Sequence, residues 1–171
     1  ATHGEPSDVN AHPHSNEKIT FSVVHNGIIE NYLKLREWLI LKGYNFYSET
    51  DTEVIPNLID YYYNGDLLDS VIKATAKLEG SFAIGVISKN EPDKLIAVKK
   101  DSPLIVGIGQ NEYFIASDIP AVLSHTKDVY LLNDNEFVIL TKDGVDIRTR
   151  NKEIIKKEIF HVTWNGDAAE K

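Results

Sequence analysis

The sequence has 171 residues, 42% of them hydrophobic, and carries 18 basic against 26 acidic side chains for a net charge of −8. This length and apolar content predict one globular domain with a buried core, and the negative charge argues against nucleic-acid or acidic-membrane partners. The longest apolar stretches, such as residues 81–88, fall short of the roughly 20 residues that cross a bilayer, and no secretory signal precedes them, so we expect a cytoplasmic protein. The sequence contains no cysteine, which excludes disulfides, thiolate metal sites and a cysteine nucleophile within it.

The first part of the chain predicts a loop followed by a strand. Residues 1–17 have no periodicity and are rich in His, Pro, Asn and Ser, a composition typical of an ordered loop. The β-branched run at 19–24 predicts a short strand, and Asn26-Gly27 after it predicts a sharp turn.

Three helices are predicted next. Apolar residues at helical spacing indicate a helix at 31–42, which ends before Gly43. A second helix is predicted to begin near the capping-box pair Thr50 and Glu53, although Pro56 favours a start one or two residues later. A third is predicted at 66–78.

The rest of the chain is typical of antiparallel sheet. Short apolar runs alternate with turn residues, and several runs are apolar on both faces, which indicates sheets covered on both sides. Pro120 is tolerated in a first helical turn, so a short helix is expected from Ser117 to Leu123. Helices first and strands after predict an α+β layered sandwich. The predicted strands are SFAIGVIS, KLIAVK, PLIVGIG, EYFIAS, DVYLL, EFVILT, VDIRT and residues 158–162.

Four of the six histidines, His3, His12, His14 and His25, lie in the first 25 residues. Their spacing matches no standard zinc signature, and no H-E-x-x-H arrangement is present. We therefore expect a hydrogen-bonded loop network and no metal.

Two other polar positions are candidates for chemistry. The Asn26 side-chain amide beside the Gly27 backbone N–H offers two donors that could converge on one developing oxyanion, whereas the competing interpretation is a simple turn. Asp51 lies in the acidic segment before the second helix, where the helix macrodipole alone would favour an acid. Taken singly, Asp51 is better explained by the macrodipole.

Together these positions fall in motifs that resemble one family. The strings ATHGEP, NAHPH, VHNGIIENY, SETDTEV, LEGSFAIGV, DSPLIVGIG and FIASDIPA, in this order, resemble the amino-terminal glutaminase domain of glutamine-fructose-6-phosphate aminotransferases. These are class II glutamine amidotransferases of the N-terminal-nucleophile hydrolase type. The resemblance covers nearly the whole chain.

The resemblance implies a four-layer αββα sandwich, amino-terminally truncated, in which residues 1–162 form the amidotransferase domain and 163–171 begin a linker to an isomerase domain. It implies hydrolysis of glutamine to glutamate and ammonia, and transfer of the ammonia to fructose 6-phosphate to make glucosamine 6-phosphate. It implies no cofactor, and full-length members are expected to be homo-oligomers. The partners are therefore the substrate and a sugar-phosphate isomerase domain of the same polypeptide.

Residue roles follow from the same resemblance. Asn26 and Gly27 are expected to stabilise the oxyanion, Asp51 to pair with the α-ammonium of glutamine, and Thr2 and His3 to line the substrate pocket. In the family an amino-terminal cysteine attacks the amide and its own α-amino group acts as base, since an α-amino group titrates near 7.7–8.0.

Neither that cysteine nor the family's carboxylate-binding arginine has a counterpart here, so we expect an inactive chain with uncovered sheet edges and apolar faces. Two alternatives remain open. One is a non-catalytic glutamine-binding module. The other is the amidotransferase domain of a different class II enzyme, such as amidophosphoribosyltransferase.

Overall fold

A computed structural model describes residues 3–164, which form three helices and ten strands. The Thr2 prediction and most of the predicted 163–171 linker lie outside the described residues. The helices are α1 (Tyr32–Leu41), α2 (Val54–Tyr62) and α3 (Leu67–Thr75). The strands are β1 (His14–Ser15), β2 (Phe21–Ile29), β3 (Gly80–Ser88), β4 (Leu95–Lys100), β5 (Ile105–Ile108), β6 (Tyr113–Ala116), β7 (Asp128–Leu131), β8 (Phe137–Thr141), β9 (Gly144–Arg148) and β10 (Phe160–His161).

The strands form two antiparallel sheets. One has six strands in the order β1-β2-β3-β4-β8-β9, and the other has four in the order β10-β7-β5-β6. The three helices predicted in the first half and the predicted strands of the second half are confirmed, and with them the α+β sandwich. None of the helices among residues 3–164 is long and apolar enough to cross a bilayer.

Strand alternation divides the core into layers. On β3, Phe82, Ile84 and Val86 face the helices and pack in the cluster that contains Ile55 and Leu58 of α2. Helices and the six-stranded sheet are thereby joined through one apolar layer.

The opposite face of the same sheet meets the second sheet. Ala83, Ala97 and Val138 of the six-stranded sheet pack with Val106 of the four-stranded sheet and with Leu132, which follows β7. Such small side chains allow the two sheets to approach closely.

The outer face of the four-stranded sheet is covered differently from the helical side. Ile105 and Val129 pack there against Val122 and Val162, which belong to irregular segments. Within residues 3–164 the helices lie on one outer face of the sandwich, and turns cover the other.

The predicted turn at Asn26-Gly27 is wrong, because β2 runs straight through it to Ile29. Nine consecutive pairs join β2 to β3, and Gly27 lies opposite Phe82 in this ladder. The long-range ladder therefore overrides the local Asn-Gly preference.

The capping-box prediction at the start of α2 is also wrong. The Glu53 carboxylate forms no capping box with Thr50 and instead accepts hydrogen bonds from Tyr47 N (2.9 Å) and Ser48 N (2.8 Å). Helix α2 itself begins at Val54, directly after this pair, in agreement with the later start that Pro56 favours.

Residues 117–123 form consecutive turns, and the predicted short helix is absent from this described segment. The Asp118 carboxylate accepts from Ala121 N (3.1 Å), and Val122 N donates to Ile119 O (3.0 Å), so the bonds span three residues and close turns.

Candidate functional site

The site is built along one edge of β2. Strand β3 covers the other edge completely, whereas β1 pairs with β2 only at His14↔Val23 and Ser15↔Ser22. Beyond Val23 this edge meets the loop at residues 48–53, which leads into α2.

Asp51 lies in that loop and is 2% exposed. Its Oδ2 accepts a hydrogen bond from the backbone N–H of Ile29 at 2.8 Å, and its Oδ1 lies 3.5 Å from His3 Nδ1. The His3 ring also contacts Tyr32, with centroids 4.9 Å apart. The Asp51 side chain is thus directed at strand β2, which the macrodipole interpretation does not explain. A buried carboxylate has four acceptor sites, so Asp51 retains capacity for a cation.

Gly27 presents its backbone to the same edge. Ile28 N donates to Ser81 Oγ (3.3 Å) on the β3 side, so strand alternation turns the N–H groups of Gly27 and Ile29 the other way. These two N–H groups are about 6.6 Å apart along the strand. Gly27 has φ +123°, and a Cβ atom there would lie 2.3 Å from Ser81 O, so the position admits only glycine.

Asn26 points in a different direction. Its side chain projects from the sheet face into the space between the two sheets, where a cavity of about 140 Å³ is lined in part by Asn26, Leu104 and Ser117. Asn26 Nδ2 donates to Ser117 Oγ at 2.8 Å. The two expected oxyanion donors therefore point in different directions. The Gly27 N–H lies in the plane of the sheet, and the Asn26 amide projects out of that plane.

The histidine-rich loop is tied to the same 48–53 segment. His25 Nδ1 and His12 Nε2 lie 2.9 Å and 3.4 Å from Thr52 Oγ1, and His14 Nε2 lies 3.1 Å from Thr50 Oγ1. Burial lowers the pKa of all three imidazoles below the usual 6.5, which favours their neutral forms. Among residues 3–164, no three His, Asp or Glu side chains group in a way that could hold a metal ion.

Open space beside Asn26 is apolar. A cavity of about 320 Å³ extends between the sheets and is lined in part by Val24, Ile87 and Ile115. Val24 and Ile87 are 44% and 53% exposed. This end of the gap between the sheets is thus uncovered in the described residues.

Sequence reasoning missed Ser117, Thr52 and the N–H of Ile29 as parts of the site. Ser117 was assigned to a helix start, and it is 91 positions from Asn26, so no local spacing connects them. Thr52 and Ile29 act through contacts that only the loop-to-strand packing creates.

Comparison with known proteins gives one family. The profile of the glutamine amidotransferase domain matches residues 5–124. The chain is 70% identical over all 171 residues to the glutamine–fructose-6-phosphate aminotransferase [isomerizing] of Clostridium tetani, and 50% identical over 171 residues to that of Thermotoga maritima. The chain spans 28% of the length of each of these relatives.

Solved structures show the same fold at low identity. The glutamine phosphoribosylpyrophosphate amidotransferase of B. subtilis superposes with a TM-score of 0.73 at 22% identity, covering 85% of this chain and 33% of that one. An allosteric regulatory enzyme of purine biosynthesis gives a TM-score of 0.72 at 21% identity, with 85% and 32% covered.

Proposed function

The chain belongs to the glutamine amidotransferase domain family, and we propose that it is the glutamine-hydrolysing domain of a longer enzyme that makes glucosamine 6-phosphate from fructose 6-phosphate. The observation that carries this proposal is the hydrogen bond that the buried Asp51 carboxylate accepts from Ile29 N on β2, two residues after Gly27. The identity to aminotransferases over the whole chain supports the choice of acceptor sugar.

Substrate binding is proposed at Asp51. Its buried carboxylate would pair with the α-ammonium of glutamine through a charge-assisted hydrogen bond, with His3 beside it on the pocket wall. The spacing of about 6.6 Å from the Ile29 N–H to the Gly27 N–H is comparable with an extended glutamine, which would place its side-chain amide near Gly27.

Stabilisation of the oxyanion is proposed for Asn26 and Gly27. Nucleophilic attack on the amide carbon turns its carbonyl oxygen into an oxyanion, and ammonia leaves as the tetrahedral intermediate collapses to an acyl-enzyme. Water then hydrolyses this intermediate to glutamate. Preorganised donors would lower both barriers, because they need little reorganisation during the reaction.

The nucleophile is the part that these residues lack. The 171 residues contain no cysteine, so we propose that a cysteine of the longer polypeptide supplies the attack, with its α-amino group as base. The chain alone would then not hydrolyse glutamine. Its proposed partners are a sugar-phosphate isomerase domain of the same polypeptide, which would receive the ammonia, and further copies of that polypeptide.

A chimaera tests the proposal directly. Residues 1–171 would replace the matching segment of the C. tetani relative, and ammonia release from glutamine would be measured for the chimaera and for the chain alone. We expect turnover only in the chimaera, and Asn26→Ala should lower its kcat by about 10²- to 10³-fold, the usual loss of one oxyanion donor. Asn45→Ala is the control, because Asn45 is exposed and donates to Glu17.

The outcomes separate glutamine hydrolysis from a non-catalytic binding module, one of the two alternatives that the sequence left open. A non-catalytic binding module needs Asp51 but no oxyanion donors, so full turnover in the Asn26→Ala chimaera would reject the role of Asn26 in hydrolysis. Ammonia release by the chain alone would reject the need for an external nucleophile.

A further inference from the structure

One hydrogen bond joins the two sheets at the proposed site. Asn26 Nδ2, on β2 of the six-stranded sheet, donates to Ser117 Oγ, which follows β6 of the four-stranded sheet, at 2.8 Å. Both residues line the cavity of about 140 Å³ between the sheets. The Asn26 side chain is exposed, so this bond is what restricts its rotation in the described structure.

The orientation of an amide decides whether it helps or hinders this reaction. The NH₂ end has two donors, whereas the carbonyl end would repel a developing negative oxygen. Ser117 accepts from one N–H of Asn26 and leaves the second N–H free. Holding the amide in this rotamer before substrate arrives is the preorganisation on which oxyanion stabilisation depends.

Ser117 itself is held on both sides. The preceding residue, Ala116, ends β6 and pairs with Ile105 of β5. The following residue, Asp118, accepts a hydrogen bond from Ala121 N at 3.1 Å and so closes the next turn. Ser117 therefore lies between the end of an edge strand and a hydrogen-bonded turn, and both restrict the position of its hydroxyl.

We propose that Ser117 is a positioning residue of the glutaminase site, whose hydroxyl holds the Asn26 amide with its NH₂ group in the cleft between the sheets. This inference rests on the proposed function, because it assigns Ser117 a role through Asn26. Ser117 itself does not touch the reacting atoms in this scheme.

The test uses the chimaera described above. Ser117→Ala should lower kcat for glutamine hydrolysis by about 3- to 10-fold, the range of one net hydrogen bond, with KM unchanged. Ser117→Thr keeps the hydroxyl and should restore most of the rate. Ser124→Ala, an exposed serine of the same turn segment, should leave the rate unchanged.

A double-mutant cycle separates positioning from a general structural effect. If Ser117 acts through Asn26, Ser117→Ala should have no further effect on kcat in the Asn26→Ala background. An equal loss in both backgrounds, or no loss in the parent, would overturn the inference while the proposed function stands. Full turnover of Asn26→Ala alone would instead reject the role of Asn26. Thermal unfolding of each variant checks the fold, and Ser117→Thr decides the question if Ser117→Ala unfolds.

Discussion

The carboxylate of Asp51 accepts a hydrogen bond of 2.8 Å from the backbone N–H of Ile29, two residues beyond Gly27 on the same strand. The proposed ammonium-binding acid is therefore attached to the strand that bears the proposed oxyanion donors. Under the proposed function, one segment of β2 would set the distance between the groups that bind the two ends of glutamine, because strand geometry fixes the rise per residue.

Asp51→Asn should raise KM of the chimaera for glutamine about 10- to 100-fold with little change in kcat, because a contact to the ammonium is present in substrate and transition state alike. The amide oxygen of asparagine can still accept from Ile29 N, so the fold should persist. Steady-state kinetics measure the effect, with Glu49→Gln, an exposed acid in the same loop, as the control. An unchanged KM would remove Asp51 from substrate binding.

Gly27→Ala should destabilise the chain by more than about 3 kcal/mol, since positive φ alone costs about 1–2 kcal/mol and the new Cβ atom would also meet the Ser81 carbonyl oxygen. Gly43→Ala is the matched control, because Gly43 has φ +95° with nothing within 4 Å of the added Cβ. Urea unfolding of the two variants gives the comparison. Equal losses of unfolding free energy in the two variants would show that β2 relaxes around the new methyl group.

Acidification should destabilise the fold. Burial lowers the pKa of His14 and His25 below 6.5, although nearby Asp51 and Glu53 act in the opposite direction. The unfolded chain therefore takes up protons at a higher pH than the folded chain, so the unfolding free energy is highest above about pH 6.5 and falls as the pH drops below it.

Each histidine that stays neutral in the folded state should contribute a slope of up to about 1.4 kcal/mol per pH unit. Urea unfolding between about pH 7.5 and pH 5 measures it. His14→Gln should flatten the pH dependence, because it removes a buried imidazole whose pKa is lowered in the folded state. If His14→Gln left the pH dependence of the unfolding free energy unchanged, His14 would not be a source of the acid destabilisation.

Arg150 is predicted to stabilise the packing of the C-terminal part of the described chain against the helical layer. Its guanidinium donates to Ile72 O near the end of α3 (2.7 Å) and to Asn135 Oδ1 (3.0 Å), and lies over the Phe137 ring at 5.1 Å. Arg150→Met should lower the unfolding free energy by about 2–3 kcal/mol, because two carbonyl acceptors lose a charged donor.

Arg148→Met provides the comparison for Arg150. Arg148 pairs with Asp146 near the surface, at 2.9 Å, and its loss should cost less than about 0.5 kcal/mol. Thermal and urea unfolding of both variants test the difference. Similar losses would mean that the contacts of Arg150 contribute no more than a surface pair.

The fold was largely predictable because its elements carry strong periodic signals. Helices α2 and α3 have apolar stripes that match their buried residues, and the continuous apolar run of β3 is buried on both faces. The failures occurred where a local signal competed with distant pairing. Asn26-Gly27 favours a turn on its own, but its ladder to β3, more than 50 positions away, holds it extended.

The candidate site was predictable only in part. Motif resemblance selected Asp51 and Gly27, and in the structure the loop that carries Asp51 binds β2 at Ile29, two residues after Gly27. Ser117 could not be found in this way, because its relation to Asn26 depends on the packing of two sheets. Local composition at Ser117 fits a turn or a helix start equally well.

Strand β2 combines several functions within residues 25–29. His25 contacts Thr52, Asn26 projects between the sheets, and Ile29 binds Asp51. Inserting or deleting one residue within this stretch would exchange the two faces of the strand and send the asparagine amide into the helical layer. Related sequences should therefore keep the length of this stretch constant, and insertions or deletions should be confined to regions outside it.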